Sequence, residues 1–138
     1  MVQQSEAKFV NDWMKINHPN VLQWSRVRLG LLPEGGIGKM MNVTQRYADK
    51  IFLEDDTLFI VEAKLRKQVG AIAQLELYKQ LLPDTPEFSS LKGYPIRLIL
   101  LAPRKDPDLV QMCEAREIAY EIYTPNWVIA SLEESSTG

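Results

Sequence analysis

The run Ile96-Arg97-Leu98-Ile99-Leu100-Leu101-Ala102 constrains the fold more than any other stretch. It is strand-length and almost continuously apolar, the pattern of a strand buried on both faces rather than one that alternates between core and water. A sheet built around it needs helices as cover, and the flanking sequence supplies them. Phe9, Val10, Trp13 and Ile16 recur at helical spacing from about Ser5, a plausible N-cap, to Ile16, and His18-Pro19-Asn20 stops that helix. Val21 to Leu29 reads as a strand. Tyr47–Leu53 and Leu58–Lys64 are β-prone runs around a Glu54-Asp55-Asp56-Thr57 turn. Gly70 to Leu82 predicts a helix with Ala71, Gln74, Leu75, Tyr78 and Leu82 along one side, and Pro83 ends it. Asp106-Pro107 caps a helix running to about Glu117, Ala119–Tyr123 is a further strand, and Thr124-Pro125 repeats the cap-and-proline signal before a last helix. Glu133 to Gly138 reads as a frayed tail. The order α-β-β-β-α-β-α-β-α, an antiparallel meander followed by a βαβ unit, predicts an α/β fold with a mixed central sheet flanked by helices, in one domain over 1–138.

Composition narrows the chemistry. Hydrophobic residues make up 46% and charged residues 25%, so a packed core is expected rather than disorder. The single cysteine, Cys113, allows no internal disulfide and no thiolate-ligated zinc or iron–sulfur centre, which suits a reducing, cytoplasmic setting. No apolar run is long enough for a bilayer, and the polar start does not read as a signal peptide, so no membrane association is expected. The single histidine, His18, rules out a histidine-ligated metal centre and suits a capping or turn role. The net charge is −2, but its distribution is uneven: over residues 21–50 Arg26, Arg28, Lys39, Arg46 and Lys50 outnumber Glu34 and Asp49, whereas the chain from Pro83 onward is acidic. The glycine-rich segment Pro33-Glu34-Gly35-Gly36-Ile37-Gly38-Lys39 lacks the first glycine and the final Ser/Thr of a phosphate-binding P-loop, whose places hold Pro33 and Met40; a loop near a substrate fits better.

The hairpin concentrates ionisable groups. With Leu53 facing Leu58, Asp49 falls opposite Glu62, and Lys64, two residues on, points to the same face as Glu62. Opposed carboxylates repel each other, so in a purely structural sheet they only lower stability. A hard divalent cation reverses that sign: Mg²⁺ takes one or two carboxylates plus waters and phosphate oxygens, and the Ala63 carbonyl could add a ligand to Asp49 and Glu62. Lys64 beside them could hold a water or neutralise charge developing on a phosphate. A solvated ion-pair cluster is the plain alternative, but Glu62-Ala63-Lys64 closes the apolar run Leu58-Phe59-Ile60-Val61, where surface charge is less expected.

Ala48-Asp49, Glu62-Ala63-Lys64 and the Gln74-to-Tyr78 stretch, in this order, resemble the PD-(D/E)xK nuclease superfamily, the last piece being similar to the Gln-xxx-Tyr motif of RecB-type exonucleases. Ala48 stands where the motif usually has proline, and the cysteines that hold an iron–sulfur cluster in some RecB-type members are absent. The resemblance implies a restriction-endonuclease-like αβββαβ core, Mg²⁺ or Mn²⁺ on Asp49 and Glu62, a water-activating Lys64, a Gln74 that orients the Lys64 side or a metal-bound water, and a Tyr78 that packs or contacts the substrate strand. It also implies a further metal-site glutamate on the first helix, for which Glu6 is the candidate, although a carboxylate near a helix start is also favoured by the helix dipole.

Arg26, Arg28, Lys39, Arg46 and Arg66 are candidate phosphate contacts, which confer affinity without sequence information. Trp24 and Trp127 read as core rather than as base-stacking platforms, and Cys113 as a core thiol. The expectation is a metal-dependent nuclease, endo- or exonucleolytic, hydrolysing DNA phosphodiesters, possible as a homo-oligomer that cuts both strands. The alternative is a non-catalytic nucleic-acid-binding module or a subunit of a DNA-processing complex on the same fold.

Overall fold

The computed structural model describes residues 2–30 and 47–137. Its elements are α1 (Val2–Asn17), β1 (Leu22–Arg28), β2 (Tyr47–Glu54), β3 (Thr57–Ala63), α2 (Gly70–Leu81), two short 3-10 turns (Leu82–Asp84 and Pro86–Leu91), β4 (Ile96–Ala102), α3 (Pro107–Ala115), β5 (Ile118–Ile122) and α4 (Asn126–Thr137). The glycine-rich segment around Gly35, with Lys39 and Arg46, lies outside the described residues.

The strands form one sheet in chain order, β1 to β5. β1–β2 and β2–β3 pair antiparallel, while β3–β4 and β4–β5 pair parallel. Both parallel crossovers step in the same direction, so right-handed connections place α2 and α3 on one face. The packing agrees: Leu75 and Tyr78 of α2 and Leu109 and Cys113 of α3 share a core with Ile60 and Leu100. On the other face Phe9, Trp13 and Met14 of α1 and Val128 of α4 pack on Val61, Ile99 and Leu101. Leu100 and Leu101 therefore enter opposite cores, which is why β4 has no polar alternation.

Four local expectations are corrected. α1 begins at Val2, one turn before Ser5, so Ser5 is helical and does not cap. α3 ends at Ala115, and Glu117 follows at φ 58°, outside helical geometry. Thr124 does not cap α4: its hydroxyl donates to the Pro103 carbonyl at 2.7 Å, while the Val128 and Ile129 N–H groups donate to Pro125. α4 runs on to Thr137, so Glu133–Thr137 is helical rather than frayed. The Asp106 cap is present: its Oδ1 accepts from the N–H groups of Asp108 and Leu109 at 3.1 and 3.2 Å, with Pro107 opening α3.

The β2–β3 hairpin keeps the expected register, Leu53 facing Leu58 and Lys50 facing Val61. Its two central turn residues, Asp55 and Asp56, both have positive φ (51° and 58°), the signature of a type I′ turn that matches strand twist. Aspartate tolerates this region but does not favour it as Asn and Gly do. Asp55→Asn with Asp56→Gly is predicted to stabilise the protein by roughly 1 kcal/mol; an unchanged or lower urea midpoint at constant m-value would refute the assignment. Beside this hairpin, His18 joins the end of α1 to β2. Its Nδ1 lies 3.0 Å from a Glu54 carboxylate oxygen, and its ring is 4.5 Å from that of Phe52 and 5.0 Å from that of Trp13.

Candidate active site

The hairpin ladder is regular from the turn to Lys50↔Val61, and the paired residues stop there. Side-chain alternation on β2 breaks at the same place. Ala48 and Ile51, three residues apart, both pack into the α2 side of the core, which an uninterrupted strand would not allow. The neighbouring strand shows a matching irregularity: Arg26, between the pairs Ser25↔Lys50 and Val27↔Ala48, has φ 49°. The backbone thus departs from ideal pleating opposite Asp49, and the Asp49 side chain takes over a role in the ladder, its Oδ2 accepting the Ala63 N–H at 2.9 Å.

Glu62 projects toward α2, on the same side as Ile60 and Leu100, and is 3% exposed. Its carboxyl lies within hydrogen-bonding reach of Asp49, and its Oε1 is buried with no partner. Burial first, then the charge of Asp49, pushes the Glu62 carboxyl up to about 9, against the opposing pull of Lys64. Lys64 follows β3 directly; its Nζ stands 3.7 Å from Glu62 Oε2, and its N–H donates to the Leu101 carbonyl at 3.0 Å, which holds it to the end of β4. A carboxyl that prefers its proton, with one oxygen unsatisfied, is a costly feature for a structural sheet and a suitable one for a displaceable ligand position.

Glu6 reaches the same end of the sheet from α1. Its Oε2 accepts the Leu65 N–H at 3.2 Å. Burial pushes its carboxyl upward, the Leu65 N–H and Lys64 oppose this, and Asp49 reinforces it. Because α1 starts at Val2, Glu6 is beyond the first turn, and a tertiary partner explains its position better than the helix dipole.

Asp49, Glu62, Lys64 and Glu6 therefore converge, with the Ala63 N–H tied to Asp49. Gln74 is half-buried on α2, and no hydrogen bond joins it to Lys64 among the described residues. Of the two expectations for Tyr78, packing and contact with a substrate strand, the structure shows packing. Tyr78 is 1% exposed, and its hydroxyl donates to the Tyr47 carbonyl at 3.0 Å, so it supports the site from the core and does not face a substrate. Burial, then the Glu62 and Asp49 charges, push its phenol upward.

Arg26 and Arg66 are exposed, Arg26 lying over the Tyr47 ring at 5.4 Å. Arg28 is half-buried and its guanidinium donates to the Gly30 carbonyl at 3.4 Å. Lys50, counted in the basic excess, is buried: its Nζ donates to Ser25 Oγ at 2.6 Å, and burial lowers its pKa. Trp24 packs edge-on to Phe88 and Trp127 donates to Asp12, so both have structural partners.

Among the described residues no group of three or more His, Cys, Asp or Glu side chains forms a ready-made metal cage. Two carboxyls with an orphaned buried oxygen do fit a cation that keeps most of its shell as water and phosphate, the habit of Mg²⁺, and fit Zn²⁺ or Ca²⁺ poorly.

Solved structures share this architecture. A repair endonuclease from Pyrococcus abyssi superposes with a TM-score of 0.54 at 16% identity over 88% of this chain. EndoMS in complex with double-stranded DNA superposes with a TM-score of 0.54 at 18% identity, again over 88%. The chain corresponds to 47% and 44% of those two proteins, less than half of either. No protein-family model matches the sequence, and neither does any curated protein. The helix-flanked mixed sheet expected from the sequence is the fold of the chain, and both of these solved structures share it. No helix among the described residues is long and apolar enough to cross a membrane.

Proposed function

We propose that this protein is a Mg²⁺- or Mn²⁺-dependent deoxyribonuclease of the PD-(D/E)xK kind. The observation that carries the reading is the buried, partnerless Glu62 Oε1 beside Asp49, with the Lys64 ammonium 3.7 Å from the same carboxylate. Asp49, Glu62 and the Ala63 carbonyl would hold the cation, and Glu6, whose carboxyl feels the charges of Lys64 and Asp49, would bind one of its waters. When bound, the metal would neutralise phosphate charge and make a water more acidic. The chain itself does the rest. Lys64 orients the attacking water and stabilises negative charge developing on the phosphate. Leu65 and Leu101 fix Lys64 at the strand end through Glu6 and the parallel pairing. Gln74, on the face of α2 nearest the sheet, would orient Lys64 or a water through movement of its flexible side chain. Arg26, Arg28 and Arg66, with Lys39 and Arg46, would hold the DNA backbone.

That the two similar structures are a repair endonuclease and a complex of EndoMS with duplex DNA supports DNA as the substrate class. The test is a panel of linear, circular, single-stranded and branched DNA incubated with the purified protein and Mn²⁺. Cleavage is expected with Mn²⁺ and none with EDTA; cleavage that persists in EDTA defeats the proposal, and the preferred substrate separates endonuclease from exonuclease. A second reading, a non-catalytic DNA-binding module or subunit on the same fold, makes the opposite prediction for metal binding. Calorimetric Mn²⁺ binding that Asp49→Asn abolishes speaks for the enzyme, and its absence for the module.

A further inference from the structure

A cavity of about 340 Å³ opens immediately beside Lys64, between the segment that follows β3 and the segment that follows β4. Its rim carries Lys64, Arg66, Lys67, Arg104 and Lys105 against one carboxylate, Asp106. Lys67 is already engaged, 3.4 Å from Asp106 and 3.2 Å from Asp108. Arg66, Arg104 and Lys105 are exposed and form no ion pair among the described residues, so the positive excess is theirs. The inner wall is apolar, formed by Leu100, Ala102 and Leu109, with the Tyr120 ring at its side. The loop is held in place: the Tyr120 hydroxyl donates to the Arg104 carbonyl at 2.7 Å, and Thr124 donates to the Pro103 carbonyl at 2.7 Å.

We infer that this cavity is a subsite for a single phosphorylated nucleoside of the DNA strand, next to the phosphate being cleaved. The inference rests on the nuclease reading above and goes beyond it by assigning Arg66, Arg104 and Lys105 to the phosphate and the Leu100–Tyr120 wall to the base and sugar. Three points argue for it. A cationic rim over an apolar wall matches a nucleotide, which has an anionic end and a flat, weakly polar end. The volume lies at the small end of ligand pockets, enough for one nucleotide and too little for a duplex. Lys64 lines the cavity and also contacts Glu62, so an occupant is continuous with the candidate active site. The pocket also follows the general rule that open α/β sheets bind ligands beyond the carboxyl ends of their parallel strands.

The experiment uses the full chain in EDTA, so that cleavage does not interfere, titrated by NMR or calorimetry with thymidine 5′-monophosphate, thymidine and inorganic phosphate. The monophosphate is expected to bind roughly tenfold or more tightly than thymidine, and more tightly than phosphate alone. The double variant Arg104→Ala/Lys105→Ala is expected to lose roughly tenfold in affinity with an unchanged Tm, because both side chains are exposed. Arg66→Ala gives a second, independent loss. Equal binding of thymidine and its monophosphate, or affinity unaffected by these variants, overturns the inference. Its failure is distinguishable from that of the nuclease reading. DNA cleavage with no monophosphate binding removes the subsite alone, whereas monophosphate binding without any cleavage supports the subsite and removes hydrolysis.

Discussion

Lys64→Ala is expected to lower Mn²⁺-dependent DNA cleavage by roughly 10²- to 10⁴-fold, the range for losing a group that orients water or stabilises charge at the reacting phosphate. Lys64 is placed for this by geometry and not by charge alone. Its backbone is bonded to Leu101, its ammonium is 3.7 Å from Glu62 Oε2, and its side chain is 17% exposed. Lys64→Arg should recover little, since a planar guanidinium presents different donors from a compact ammonium. Glu62→Gln should be as damaging to cleavage for a different reason, loss of a metal-binding charge. The two variants separate in binding: Lys64→Ala should keep Mn²⁺ affinity within a few-fold, and Glu62→Gln should lose roughly tenfold or more. Wild-type rates in both variants, with folded protein confirmed by circular dichroism, would remove the hairpin from the chemistry.

The second large effect is on stability. In the metal-free protein the Glu62 carboxyl holds its proton up to about 9, well above its ordinary value of 4.5, because it is buried beside Asp49. In the unfolded chain the same group ionises near its ordinary value. Between these two pH values the folded state therefore binds more protons than the unfolded state, and stability falls as pH rises. The decline begins near pH 5 and levels off near pH 9. Relaxation and water entry blunt the full effect, so a fall in Tm on the order of 5–10 °C across that window is expected in EDTA. Saturating Mn²⁺ should raise Tm and remove most of the slope, since it binds the ionised form and displaces the proton. Glu62→Gln should flatten the slope without metal, and leave the protein as stable as the wild type or more so at pH 8. A wild-type Tm in EDTA that is constant or rises from pH 5 to 9 would show that Glu62 is not desolvated as described.

These two expectations concern the same carboxyl from opposite sides. A group held protonated and partly unsatisfied weakens the empty protein, and the same desolvation strengthens its attraction for a cation. Glu62→Gln tests the trade directly, because it should stabilise the empty chain while removing the proposed activity.

Much of this was legible in the residues. The double-sided apolarity of Ile96–Ala102, the Asp106-Pro107 cap and the Leu53/Leu58 register are local patterns, set by side-chain period, turn chemistry and backbone hydrogen bonding within a few residues. They were enough to bring Asp49, Glu62 and Lys64 to one end of one hairpin. What the chain order could not contain was anything requiring distant segments to meet. The position of Glu6 against the Leu65 N–H depends on how α1 lies on the sheet. The break in alternation at Asp49 is matched by the left-handed backbone of Arg26 on the neighbouring strand. Tyr78, helical and on the inner face as expected, turned out to be sealed in the core, because period tells which face a residue occupies but not how deeply that face is covered. Lys50, a surface charge by type, is buried against Ser25. The cation-rimmed cavity joins Lys64 and Arg66 to Arg104 and Lys105 only because β3 and β4 run parallel, so that both following loops leave the same edge of the sheet. The sequence by itself determined the elements, their order and the hairpin's cluster of charge, since these follow from local periodicity. Tertiary packing decided depth, protonation and the neighbouring pocket, since desolvation and long-range charge exist only after the layers close.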